Sequence, residues 1–422
     1  MRTAARRARR AASARAAGTR ARARSRGTAL AGALLAAEIW LGACAAPRGV
    51  AVTDPAAALR PVSPPGAPVL GDDGDRASLA AAVRQSLAWV EREPPGRTFV
   101  VGPRTVTAAE QARGLRRFLD LLGRTDTAAA LAAAVREEFD VFQSVGDWDG
   151  GVLVTGYYEP VVEAAEAPSA EYGAPVLARP PDLVEASLEA FDARFRGERI
   201  AGRVEGPRLV PYWRRAEIDA GRLAGRGLEL AWARDPVDVF FMEIQGSGVL
   251  RFPDGRERRV GYAASNGRPY RAIGRLLVDE GRIDRAAVSM QAIRAWLRAH
   301  PEERARVLES NESYVFFRPL DGPPVGHIGV PLTPARSIAT DARLFAPATL
   351  AFLRTERPVR LADGSVRWEP LGRFVLNQDT GGAIRGPGRV DFFWGRGEEA
   401  ELAAGVMRQP GSLYFLVPKA GR

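Results

Sequence analysis

Residues 374–397 read FVLNQDTGGAIRGPGRVDFFWGRG, and the organisation of the chain follows from them. Phe374, Val375 and Leu376 form an apolar run that predicts a strand ending at Asp379. A loop with Gly381, Gly382, Gly386 and Gly388 follows, and glycine at this density lets the backbone turn sharply and a ligand approach closely. The chain re-enters a strand over 389–394. Period-two alternation places Val390, Phe392 and Trp394 on one face and Arg389, Asp391 and Phe393 on the other. Asp391 therefore stands beside an aromatic on its own face. An aspartate titrates near ~4 in water and needs a rise of ~2–3 units to act as an acid near neutrality. Aromatic walls push that way, as does a second carboxylate, for which Asp379 is the candidate. The plain alternative is that Asp379 caps a turn and Asp391 is an ordinary strand-end residue.

The chain has 422 residues, enough for two domains, with 46% hydrophobic and 26% charged residues, as in globular proteins. Its formal net charge is +10. Ten arginines and one glutamate (Glu38) in residues 1–43 supply nine of those charges, so the rest of the chain is near neutral and nucleic acid is not an expected partner. Residues 1–43 read as an export signal: an arginine-rich stretch to Arg26, then an apolar one from about Thr28 to Ala43, too short to span a bilayer. It ends in Leu41-Gly42-Ala43-Cys44, which resembles a bacterial lipobox. Cys44, the only cysteine, is the expected lipidation site. Ala45 after it, where an aspartate would be an exception, resembles proteins sorted to the outer membrane. The expectation is an outer-membrane lipoprotein facing the periplasm, held to the bilayer by acylated Cys44. Residues 44–70, with Pro47, Pro55, Pro61, Pro64, Pro65 and Pro68, are expected to form an extended tether.

With Cys44 acylated, no disulfide and no thiol nucleophile remain. Two histidines, His300 and His327, are too far apart and lack the acidic spacing of a zinc site, so no metal is expected. A Ser-His-Asp triad would need His327. Acid–base work therefore falls to carboxylates.

Helical spacing is clear in Leu79, Val83, Leu87 and Val90. A capping box at Thr107 and Glu110 opens a second helix with Leu115, Phe118, Leu119 and Leu122 inward. Asp126-Thr127 caps an expected third helix with Leu131, Val135, Phe139 and Phe142 on one face. From Gly151 the texture changes to short apolar runs between Gly and Pro, the pattern of β-structure. Strands are predicted at 152–160, 209–213, 237–244, 248–252 and 314–317, a hairpin turn at 252–256 and a helical insert over about 272–308. The fold class is mainly β with N-terminal helices. Against this background, Gln245 and Ser247 fall in a Gly-flanked turn. Asn266 lies in a loop with Tyr262 and Tyr270, and Asp341 ends a strand. Aromatics and amides beside carboxylates suit a sugar, although each loop alone reads equally as a turn over a β core.

Six segments in order, GYYEP (156–160), FFMEIQGSG (240–248), GYAASNGRPY (261–270), SIATD (337–341), QDTGGAIRG (378–386) and VDFFWGRG (390–397), resemble the membrane-bound lytic murein transglycosylase A family. The last three form its three-aspartate "3D" region, here Asp341, Asp379 and Asp391. The resemblance implies a double-psi β-barrel built from both ends of the chain (71–161 and 324–422), with a smaller β-domain inserted over 162–323. It implies cleavage of the MurNAc-β-1,4-GlcNAc bond of peptidoglycan glycan strands to 1,6-anhydroMurNAc ends, without a cofactor. Asp391 takes the catalytic position, Asp379 and Asp341 support it, and Tyr157, Tyr158, Gln245, Ser247 and Asn266 contact substrate. The chain departs from the family at Glu159, where threonine is frequent. Other classes fit the same residues. An inverting glycoside hydrolase would use Asp379 or Asp341 as base, and a peptidoglycan-binding lipoprotein would use none of them. Asp379-Thr380-Gly381 also matches aspartic proteases, but no second such triplet exists.

Overall fold

The computed structural model describes residues 52–419 apart from 64, 65, 148, 196, 197 and 383. Cys44 and the export segment lie outside the described residues. Asp75 caps helix α1 (Arg76–Val90) by accepting from the Ser78 N–H, and Leu79, Ala82, Val83 and Val90 turn inward. The Thr107/Glu110 capping box is present and opens α2 (Ala108–Arg124). Thr127 caps α3 (Ala128–Glu138). The expected apolar stripe of α3 is cut short, because Phe139 already has extended dihedrals and Phe139 and Phe142 belong to strand β1 (Phe139–Ser144). A spacing of 131, 135, 139 and 142 suits a helix, but pairing with the C-terminal strand wins beyond Glu138. The tether expectation also fails in part. Leu59–Pro61 is a strand paired with β1, and Ala58, Leu59 and Leu70 are buried, so the proline-rich segment is already folded there.

After β1 comes β2 (Val152–Glu159), and then the chain leaves for a second sheet. That sheet contains β3 (Val161–Ala165), β4 (Ala174–Leu177), β5 (Glu229–Ala233), β6 (Ser247–Arg251), β7 (Glu257–Ser265) and β8 (Val315–Leu320) in the order β8-β7-β6-β3-β5-β4. A bridge between Ala178 and Phe317 joins its two edges. A small three-stranded sheet (Val184–Ser187, Arg199–Glu205, Arg208–Pro211) is attached to the same part of the chain.

Residues 237–244, expected as a strand, form helix α4 (Pro236–Gln245). Val237, Val239, Phe240, Phe241 and Met242 are all buried, so apolar residues lie around most of the helix and its run reads like a core strand. The deciding signals lie at its ends: Asp235 caps the Val237 N–H, Pro236 starts the helix and Gly246 closes it at φ 77°. Helices α5 (Ile273–Asp279), α6 (Met290–Ala299) and α7 (Pro301–Glu309) make up the expected helical insert. Inside this part, Arg215 and Glu243 form a buried ion pair, with Arg215 also donating to the Asn311 carbonyl at 3.1 Å and Glu243 accepting from the Val315 N–H at 3.0 Å.

The chain returns as β9 (Ser337–Ala339), β10 (Leu350–Arg360), β11 (Val366–Asp379), β12 (Arg389–Arg396), helix α8 (Glu398–Val406) and β13 (Arg408–Pro418). Strand β2 pairs with β12 in parallel and with β13 antiparallel. Pairings β13–β10, β10–β11, β11–β9 and β9–β12 complete a closed six-stranded ring. This is the double-psi barrel expected from the sequence, with one strand from before the second sheet and five from after it. Val375, Ile338, Val390 and Phe392 share one buried face of the ring, while Phe352 and Phe374 lie on the other, where the Phe374 ring meets Phe118 of α2 at 5.0 Å and Leu79, Val83 and Leu115 join the same core.

The N-terminal segment is stitched to the barrel by Arg336, which is fully buried. Its guanidinium lies 2.6 and 2.9 Å from the two Asp72 carboxylate oxygens and donates to the Asp75 carbonyl at 2.7 Å and the Phe374 carbonyl at 3.0 Å.

Candidate active site

In the register of β9, Ala339 pairs with Asp379 of β11 on one side and with Asp391 of β12 on the other. Residues in one cross-strand row share a face, and strands lie ~4.8 Å apart, so the two aspartates leave the same face roughly 10 Å apart at Cα. A register shift at Ile338/Ala339 skips Gln378. Gln378 instead turns to α1, donating to the Ala82 carbonyl at 2.9 Å and the Ser86 hydroxyl at 3.0 Å. The bulge thus aims Asp379 at the site.

Asp391 is opposite Thr155 of β2. The Thr155 hydroxyl donates to Asp391 Oδ1. Arg389 Nε donates to the same oxygen at 3.3 Å, and Arg389 Nη2 donates to Thr155 Oγ1 at 3.2 Å. The Asp391 side chain is 19% exposed. Phe393 shares its face, with its ring packed on Tyr157 at 5.1 Å, and the hydrogen bonds to the acid come from Thr155 and Arg389.

Asp379 is the carboxylate on which desolvation acts most clearly. Its Oδ2 accepts from the Tyr157 hydroxyl at 2.9 Å, and its Oδ1 accepts from the His327 and Thr380 N–H groups, each at 2.9 Å. Burial pushes its pKa up to about 6. The hydrogen bonds from Thr380, Tyr157 and His327 pull it down, and the charge of Asp391 adds to the rise. Burial, with the charges of Asp379 and Asp391, also pushes the Tyr157 hydroxyl well above its usual value. A carboxyl raised on folding stabilises the protein fully below the unfolded value near 4, and that contribution is lost as pH climbs through about 6. Wild type is expected to lose up to about 3 kcal/mol relative to Asp379→Asn between pH 4 and pH 7. Urea unfolding of both proteins at the two pH values measures this, and parallel changes would refute it.

Asp341, next to the Thr340 whose N–H donates to the Asp379 carbonyl at 3.2 Å, has its own set of donors. It is fully buried. Its oxygens accept from Arg343 Nε at 3.0 Å, Nη2 at 2.8 Å and the backbone N–H at 3.1 Å, and from the Gly386 N–H at 2.8 Å. Burial opposes ionisation, but these donors together hold its carboxyl below the usual range. It pins the glycine-rich loop. Gly388 at the end of that loop lies under the exposed Asp147 carboxyl group, whose carbon would be 2.0 Å from a Cβ there and would have to move aside for one.

Of the five predicted substrate contacts, the structure brings only Tyr157 to the aspartates. Tyr158 is 2% exposed, with Arg294 and Glu401 near its hydroxyl. Gln245, at the end of α4, accepts from the Tyr158 N–H at 3.0 Å and clamps the second sheet's helix to β2. Ser247 is buried at the start of β6, opposite Gly261. Asn266 is fully buried and saturated: its amide donates to the Trp213 and Glu312 carbonyls at 2.9 and 2.8 Å, and its oxygen accepts from the Arg268 and Tyr314 N–H groups. Asn266 and the Gln245 side-chain oxygen thus hold backbone groups, as buried amides in β-rich loops commonly do. Glu159, the departure from the family pattern, is buried with Arg259 at 3.3 Å, and burial raises its pKa.

Thr155, Arg389 and Tyr270 belong to the site and were not among the expected residues. Alternation along β12 already placed Arg389 beside Asp391. Thr155 could be found only from the register of β2. Tyr270 lies in the GYAASNGRPY loop, 39% exposed, close enough to Arg389 and Asp391 for their charges to act on its hydroxyl. Its pKa is raised, first by burial of that hydroxyl. The loop is rigid on both sides, through Asn266 and through the Arg271 N–H donating to Asn311 at 3.0 Å.

Residues 153–318 match the MltA specific insert domain and residues 336–417 the 3D domain. The chain is 35% identical over 288 residues to membrane-bound lytic murein transglycosylase A of Escherichia coli K12, covering 67% of this chain and 71% of that protein. It resembles the crystal structure of the membrane-bound lytic murein transglycosylase from Agrobacterium tumefaciens with a TM-score of 0.70 at 36% identity, over 86% of this chain and 98% of that one. The E. coli MltA structure with bound chitohexaose is similar at a TM-score of 0.64 and 28% identity, over 87% of this chain and 96% of that one. With both family models matched in order on the barrel and on the sheet between its strands, the chain belongs to the membrane-bound lytic murein transglycosylase A family.

Proposed function

We propose that this protein is a lytic transglycosylase that cuts the MurNAc-β-1,4-GlcNAc bond of peptidoglycan, with Asp391 as its single acid and base. One observation carries the assignment. Among the three aspartates, only Asp391 keeps a carboxyl oxygen, Oδ2, with no hydrogen-bond partner among the described residues. Asp379 and Asp341 have protein donors on both oxygens. Protonated Asp391 gives its proton to the glycosidic oxygen as the bond to C1 breaks. The carboxylate then takes the proton of the MurNAc C6 hydroxyl as that oxygen closes on C1. One carboxyl suffices because no water is activated, whereas hydrolysis by inversion needs a second free carboxylate. Asp379 and Asp341 act as supports for the row and the loop around the acid. The test is the chemistry of the ends released from purified peptidoglycan. MurNAc ends that resist borohydride support the reading, and reducible ends make the protein a hydrolase.

The relatives are named membrane-bound. We place this chain at the outer membrane, facing the periplasm, through lipid on Cys44. Cys44→Ala is expected to move it from the membrane fraction to the soluble fraction, and retention in the membrane would disprove the site.

A further inference from the structure

The geometry points to Thr155 as a positioning residue that, with Arg389, occupies one oxygen of Asp391 and so dictates that the transferable proton is held on the other. The argument starts from what each group can do. A guanidinium has only donors. Arg389 Nη2, 3.2 Å from Thr155 Oγ1, must therefore donate to that hydroxyl. The hydroxyl's own hydrogen is then free to point only away from the arginine, and its neighbour there is Asp391 Oδ1. Arg389 Nε also donates to Oδ1, at 3.3 Å. The relay from Arg389 through Thr155 to Asp391 thus runs in one direction.

Two donors fill both acceptor positions of Oδ1. A neutral Asp391 has to carry its hydrogen on Oδ2. The same oxygen is the one left to receive the proton of the C6 hydroxyl. The glycosidic oxygen and the C6 hydroxyl must therefore reach a single carboxyl oxygen in turn, with no rotation of the carboxyl group between the steps. The backbone makes this rigid: Thr155 and Asp391 are register partners in neighbouring barrel strands, and Arg389 sits two residues along the same strand.

This inference rests on Asp391 being the acid, and its test separates the two. Thr155→Val keeps the shape and the strand preference but loses the hydroxyl. On purified peptidoglycan it is expected to lower kcat roughly ten- to a hundred-fold with KM nearly unchanged, since the acid is misaimed and no sugar contact is lost. Thr155→Ser should restore most of that loss. Arg389→Gln should lower kcat at least as far as Thr155→Val. A Thr155→Val enzyme with wild-type kcat overturns the inference, as does a serine variant as impaired as the valine one. A loss that falls on KM alone also overturns it. If wild type yields no 1,6-anhydro ends, the functional reading itself has failed, whatever Thr155 does.

Discussion

Asp391→Asn is expected to lower turnover on purified peptidoglycan by about 100- to 10,000-fold, the range that a positioned general acid contributes. The substitution isolates the proton. An asparagine can place its carbonyl oxygen where Oδ1 stands, accepting from Thr155 and Arg389 as before, and its amide where Oδ2 stands. The strand, its pairing with Ala339 and Thr155, and the buried Val390 and Phe392 on the other face are untouched. Melting temperature and KM should therefore stay close to wild type while kcat falls. Residual turnover within tenfold of wild type would remove Asp391 from the role of acid.

The second large effect falls on stability. Arg336→Ala is expected to destabilise the fold by about 3–5 kcal/mol, because it leaves the Asp72 carboxylate buried without its partner. Asp72 cannot escape to water easily, since its side chain is 7% exposed and it also accepts from the Phe374 N–H at 2.7 Å. The alanine also strips donors from the Asp75 and Phe374 carbonyls. Urea unfolding measures the loss. Replacing both partners with apolar residues of similar size, Arg336→Met with Asp72→Leu, should recover much of it, since removing a buried pair together costs far less than removing half. A single-variant loss below about 1 kcal/mol would show that the pair is not what ties residues 72–75 to the barrel.

The two strands that carry Asp379 and Asp391 were legible in residues 374–397, where apolar runs flank a glycine loop, whereas the barrel they belong to was expected only from the family resemblance. The capping box at Thr107 was legible for a local reason as well. Other features were set by long-range pairing. Helix α4 was hidden because a mostly apolar run has the same texture in a buried strand and in a buried helix, and its end caps are what distinguish them. Phe139 looked helical until its pairing with β13 decided otherwise. The partners of Asn266 and Gln245 were not legible, because nothing local shows that the carbonyls of Trp213 and Glu312 or the Tyr158 N–H would meet them. The surroundings of the two acids were hidden for a related reason. Sequence neighbours on a strand face opposite ways, and the groups that surround an acid come from other strands: Thr155 for Asp391, Tyr157 for Asp379.

The most direct measurement is digestion of purified peptidoglycan in water enriched in oxygen-18, with mass spectrometry of the released MurNAc ends. If Asp391 hands its proton to the leaving oxygen and takes one back from C6, the new bond is made within the sugar, and the ends carry no oxygen-18 at the moment of release. Incorporation of one heavy oxygen per cleavage would mean that water, and not the C6 hydroxyl, attacks C1, and would contradict the account.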